Sequence, residues 1–172
     1  QIFHLGFALT LVFLTSMRAL KRRKLWPLML ILLLAGLVVT TYIKVCYYHL
    51  EEVVGLPETL DMIIGVILVI VVIEATRQAW GPTLPIIAIV FVLYFFFGQL
   101  LPEGSGLRHG GYATSYIISA LGIGFSGTFG LFLGVSANFI FLFLVFGGLL
   151  GATGALGLIL EVGKAAGRVL AG

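Results

Sequence analysis

Few side chains in this sequence can do chemistry, and they stand far apart. Glu74 and Arg77 lie three residues apart, on one face of any helix that contains them. At the end of a membrane helix such a pair neutralises itself and lets both side chains reach the interface. Contact with a neighbouring helix or a lipid headgroup is the alternative reading. A proton relay would need a second ionisable group at depth, and none stands nearby in the sequence. Cys46 is the one cysteine, which excludes an intramolecular disulfide and a cysteine-based metal site. His4, His49 and His109 have no metal-ligand spacing. Catalysis needs ionisable or nucleophilic groups within mutual reach. Glu74, Arg77, His49 and Glu161 are scattered over different segments, so the sequence predicts no enzyme and no cofactor.

A second set of residues is suited to packing. Leu131 to Leu150 carries twenty residues without a formal charge, a helix of ~30 Å and about one hydrocarbon thickness. Gly130 and Gly134 form one GxxxG at its start, and Gly147 and Gly151 form another at its end. Such spacing lets a second helix approach backbone to backbone. Asn138, near the middle, reads as interhelical glue, or as part of a ligand path with the Gly130–Ser136 turn. The sequence places this helix at the centre, with the upstream helices gathered around it.

The elements that must position these residues are membrane helices. The chain is 60% hydrophobic and 10% charged, with mean hydropathy +1.19. A soluble domain of 172 residues could not bury that much apolar surface. Continuous apolar runs, without period-two alternation, argue against a β-barrel. The expected fold class is all-α: a polytopic integral membrane protein with about five transmembrane helices plus interfacial amphipathic helices.

The expected spans are Ile2–Met17, Leu25–Ile43, Met62–Trp80, Leu84–Leu101 and Leu131–Leu150. Asp61 caps the third, and Gly81–Pro82 turns the chain into the fourth. The aromatic centre FVLYFFFG of the fourth reads as lipid-facing or packing bulk. Tyr112–Phe125 is too short to span and is expected as an interfacial or re-entrant helix. Gly154–Gly172 is expected as an amphipathic surface helix, with Glu161, Lys164 and Arg168 on its polar face. Three regions follow: a four-helix region 1–101, an outer loop and interfacial helix 102–129, and a Gly-rich helix with a surface helix 130–172.

Five of the ten basic residues, Arg18, Lys21, Arg22, Arg23 and Lys24, fall in one short turn. This is a topology signal that puts the turn and the C-terminal end in the cytoplasm. It is no nucleic-acid signal, despite a net charge of +3. Tyr42, Tyr47 and Tyr48 would form an aromatic belt at the outer face, followed by an outer loop carrying Glu51, Glu52 and Glu58. Gln1 is not a starter methionine and no basic stretch precedes the first apolar run, so the sequence is expected to begin inside a longer protein or downstream of its true start.

With the spans placed, three stretches carry a resemblance: GLPETLD (Gly55–Asp61), EATRQAWGPTLPIIAIVFVLYFFFG (Glu74–Gly98) and GLFLGVSANFIFLFLVFGGLL (Gly130–Leu150). They resemble the fused permease of tripartite ATP-independent periplasmic (TRAP) transporters, of the type paired with TAXI binding proteins. The chain departs from that family's pattern at Ser126, Phe132 and Gly151–Ala152. The resemblance implies a bacterial inner-membrane secondary transporter for organic acids or similar small solutes. Such a transporter is driven by an ion gradient and fed by a periplasmic solute-binding protein. The chain would be its scaffold portion, packed against other transmembrane helices. The family's solute and ion sites lie in broken helices further along, so no complete site is expected here. The alternative is a stand-alone, transporter-derived structural subunit packed against a larger membrane complex.

Overall fold

The computed structural model describes residues 1–19, 25–53, 55–125 and 127–170. Described residues form helices and turns, with no strand among them. Five helices are long and apolar enough to cross a membrane. They are α1 (Ile2–Ala19), α2 (Trp26–Val45), α4 (Thr59–Trp80), α5 (Thr83–Phe97, continued by a 3-10 turn Gly98–Leu100) and α7 (Leu131–Ala152). Between them lie α3 (Tyr47–Glu52) and α6 (Thr114–Ile123), and α8 (Ala155–Leu170) follows. The chain divides into two compact units, Gln1–Leu133 and Gly134–Gly172.

The first unit is built on α1, α2 and α4. Each helix buries one stripe: Ile2, Leu5, Leu9 and Phe13 on α1; Met29, Gly36, Val39, Thr40 and Ile43 on α2; Ile64, Gly65, Leu68, Val71 and Ala75 on α4. The intervals of three, four and seven residues keep each stripe on one helix face. Gly36 marks where the three meet. A Cβ there would sit 3.5 Å from Leu9 Cδ1 and 3.5 Å from Val71 Cγ1, in ordinary contact with both neighbours. In lipid, close packing and not removal from water is what holds such a core. Threonines inside the helices bond back to their own backbone: Thr10 donates to the Gly6 carbonyl, Thr40 to Gly36 and Thr76 to Val72. No hydroxyl of these three faces the apolar core unpaired.

One expectation is corrected here. The core of the first unit forms around α1, α2 and α4, while α5 lies at its edge, with Pro85 its buried residue. Uniform hydrophobicity does not distinguish a helix facing protein from one facing lipid. The stretch after α2, expected as a loop, instead carries α3.

In the second unit, α7 continues through a wide π-helical turn, Ser136–Ile140. α8 has the expected amphipathic pattern. Leu158, Ile159 and Val162 lie on one face, and Glu161, Lys164 and Arg168 on the other.

Candidate functional site

The first four amides of α4 have no partner within the helix, and the chain meets this need with a carboxylate. Asp61 Oδ2 accepts the Glu58 N–H at 3.1 Å, the return half of a capping box. The helix begins at Thr59, three residues earlier than expected, so Glu58 is the N-cap and Asp61 the third helical residue. This corrects the expectation that Asp61 itself is the cap.

Asp61 does more than close a turn. It is fully buried, and its Oδ1 accepts the Tyr42 hydroxyl at 2.7 Å. His49 Nε2 stands 3.4 Å from Oδ2. One carboxylate thus ties the end of α2, the short α3 and the start of α4. Tyr42, expected in an outer aromatic belt, is turned inward by this bond, while Tyr48 stays exposed.

A second tie runs from the same corner to α6. The Gly55 N–H donates to Ser119 Oγ at 3.3 Å, and Ser119 is 2% exposed. α6 ends in a π-helical turn, Ser119–Ile123, after which residues 124, 125 and 127–130 are non-helical. Its loose carbonyls are met locally: Ser119 O accepts the Gly124 N–H at 2.6 Å, and Leu121 O accepts both the Thr128 N–H at 3.1 Å and its hydroxyl at 2.7 Å. The turn lies against α4 at Gly65. A Cβ on Gly122 would fall 2.7 Å from the Gly65 Cα and 2.7 Å from the Gly65 oxygen. Gly65 is six residues into α4, or ~9 Å from its start. Irregular backbone beside an apolar helix of spanning length is tolerated in a bilayer where protein covers it, and Ser119, Gly122, Ile123 and Phe129 are buried.

The loop after α5 is held by a histidine. The half-buried His109 places Nδ1 2.6 Å from the Gly110 carbonyl and Nε2 3.0 Å from the Tyr94 carbonyl, in the last turn of α5. Two acceptors on one ring favour the imidazolium, which alone can donate to both, and the pKa of His109 is accordingly raised. A cation at a helix C-terminus is favourable for the same reason. Gly98 leaves room for the ring, since a Cβ there would collide with His109 Nε2. His109 also packs on Tyr112, and Tyr112 stacks on Tyr116 of α6. The raised pKa means that this contribution is fully present below histidine's ordinary ~6.5 and is lost as pH rises through the folded value. Residues 102–113 are therefore expected to resist limited proteolysis at pH 6 and to become cleavable on the alkaline side. His109→Gln should remove that pH dependence.

The remaining expected residues are distributed along the chain. Arg77 Nε and Nη2 donate to Glu74 at 2.8 and 2.7 Å, and Gln78 adds a third bond at 2.7 Å. Glu74 and Arg77 thus form a local bidentate pair at the end of α4. Arg18 is exposed in the last turn of α1, while Lys21, Arg22, Arg23 and Lys24, like Ser126, lie outside the described residues. Gly130 and Gly134 are buried; Gly147 and Gly151 would meet nothing within 4 Å if given a Cβ. Asn138 is exposed along a shallow apolar groove with Phe139, Leu142, Phe143 and Phe146. Asn138→Leu is expected to change the chain's own stability by less than ~0.5 kcal/mol in thermal unfolding. Among the described residues, no three His, Cys, Asp or Glu side chains converge as a metal site. Sequence reasoning missed Ser119, Gly122 and the Tyr42–Asp61 bond; the paired signals are a lone serine, a lone glycine and residues 19 positions apart.

Comparison of the chain with protein-family models, curated proteins and solved structures finds no match.

Proposed function

We propose that this chain is the membrane scaffold portion of a TRAP-type secondary transporter, a static frame against which a mobile transport element works. The observation that carries the reading is the frame itself. Three helices close on a continuous core, and a buried carboxylate and a glycine contact fix the outer end and the broken segment 114–130 to it. Two of the resembling stretches supply parts of this frame: Gly55–Asp61 contains the clasp, and Glu74–Gly98 contains the ion-paired end of α4 and the turn into α5. The third is α7, whose surface is largely exposed and whose Gly147 and Gly151 are open to a neighbouring helix.

In this reading the chain resides in a bacterial inner membrane, with the basic turn 18–24 and the C-terminal end on the cytoplasmic side. The opposite end, carrying Glu51, Glu52 and Glu58, faces the periplasm and a solute-binding protein. The chain performs no catalysis and needs no cofactor. Its partners are lipid and the helices of the transport half.

The test is gentle extraction of the native polypeptide, with its intact mass measured beside whatever co-purifies. The reading predicts a polypeptide well above 18.5 kDa, or one held to a larger multi-span membrane protein. A lone 18.5 kDa polypeptide without such a partner would overturn it. A polypeptide of that mass held to an unrelated complex would replace it with the stand-alone structural subunit.

A further inference from the structure

We infer that the groove between α1 and α2 binds one acyl chain of an anionic phospholipid, with Lys44 holding the headgroup phosphate. The groove, of about 520 Å³, is lined mainly by apolar atoms, with Phe3 and Gly6 on one wall and Leu37 and Thr41 on the other. Thr10 and Thr40 also line it, but both hydroxyls are turned back onto helix carbonyls at 2.7 and 2.8 Å. Neither of these two has a donor left for a polar ligand; the exposed Thr41 keeps its hydroxyl, and the rest of the slot suits hydrocarbon. From Leu37 to Lys44 it runs ~10 Å along α2, within the ~15 Å depth of one leaflet.

The mouth differs from the slot. Lys44, in the last turn of α2, is exposed, with Nζ held 5.5 Å from the centre of the Phe3 ring. No ion pair among the described residues includes it. Beyond it the groove opens into a more polar depression bordered by Tyr47 and Tyr48. An apolar slot ending in a cation and phenols at the interface matches the sequence of groups in a lipid: tail, phosphate, headgroup. A transmembrane helix, ~10–12 Å across, would have to bring its own carboxylate to that level, where a lipid carries a phosphate by construction. The inference requires membrane residence and does not rest on the transporter reading.

The test is native mass spectrometry of the full chain in mild detergent. Phosphatidylglycerol and phosphatidylcholine with the same acyl chains are titrated in turn. The expected result is about fivefold tighter retention of phosphatidylglycerol, the scale of one basic residue's attraction to anionic lipid. Lys44→Gln should bring the two lipids to parity, and Lys44→Arg should keep the preference. Thr41→Phe, at an exposed position that fills the slot, should weaken both lipids while leaving their ratio unchanged. Equal retention by the native chain, or an undiminished preference in Lys44→Gln with unchanged size-exclusion elution, would overturn the inference.

Discussion

Asp61→Ala is expected to lower the stability of the chain by about 3 kcal/mol or more, the largest effect of any single polar substitution in it. The carboxylate is fully buried and accepts the Tyr42 hydroxyl and the Glu58 amide. A hydrogen bond to a charged group contributes ~1.5–3 kcal/mol, and each donor left unpaired in a buried place costs ~1–3 kcal/mol. Asp61→Asn keeps one acceptor oxygen and should cost about 1–2 kcal/mol on the same scale. Glu74→Gln is the control. Its bidentate pair is geometrically better but partly exposed, and a pair of that kind contributes at most ~1 kcal/mol. Thermal unfolding of the three variants in one detergent should rank them in that order. A Glu74 variant less stable than the Asp61→Ala variant would refute the assignment of Asp61 as the clasp.

Gly122→Ala should be nearly as damaging, at the upper end of the ~1–3 kcal/mol range for overpacking. The added methyl would meet the Gly65 Cα and oxygen at 2.7 Å, and backbone cannot rotate aside as a side chain can. Gly65→Ala should cost less. Its nearest neighbour is the Ile118 side chain at 3.2 Å, a longer approach than the 2.7 Å at Gly122 and one to a side chain rather than to backbone. Gly147→Ala, which would meet nothing, should be neutral or gain up to ~1 kcal/mol from helix propensity. Should Gly147→Leu instead abolish co-purification with a partner while leaving the chain's melting unchanged, the open face of α7 is a docking face. Equal melting of the Gly122→Ala and Gly147→Ala variants would remove the Gly65–Gly122 contact from the account.

The spans were legible in the sequence because membrane helices announce themselves by length and hydropathy. Ile2, Trp80 and Leu131 mark boundaries that the sequence predicts at the same residues. The short helix before α7 was also legible, from an apolar run too brief to cross. What was not legible is which faces meet. On average α7 and α5 are as apolar as the core helices, so which of their faces meet protein could not be read from hydrophobicity. GxxxG spacing pointed to Gly130, Gly134, Gly147 and Gly151, yet a close glycine contact across two helices joins Gly65 and Gly122, neither in such a repeat. Asp61 was visible as a helix-start residue, but its bond to Tyr42 spans 19 residues and exists only once α2 and α4 lie side by side. His109 looked like a loop histidine, because its two acceptors are backbone carbonyls that leave no mark in the sequence.

The most direct test of the account is hydrogen exchange by mass spectrometry on the chain in lipid nanodiscs, read over residues 114–130. The central claim is that this broken segment is part of a rigid frame, with the Ser119 and Leu121 carbonyls bonded locally and Ser119, Ile123 and Phe129 buried. The account predicts protection of 114–130 close to that of α4, while the exposed loop 102–108 exchanges rapidly at the same pH. In the Gly122→Ala variant that protection should fall while α1 and α2 keep theirs. Exchange of 114–130 in the native chain at the rate of the loop would contradict the account, because a segment that opens freely is no part of a rigid frame.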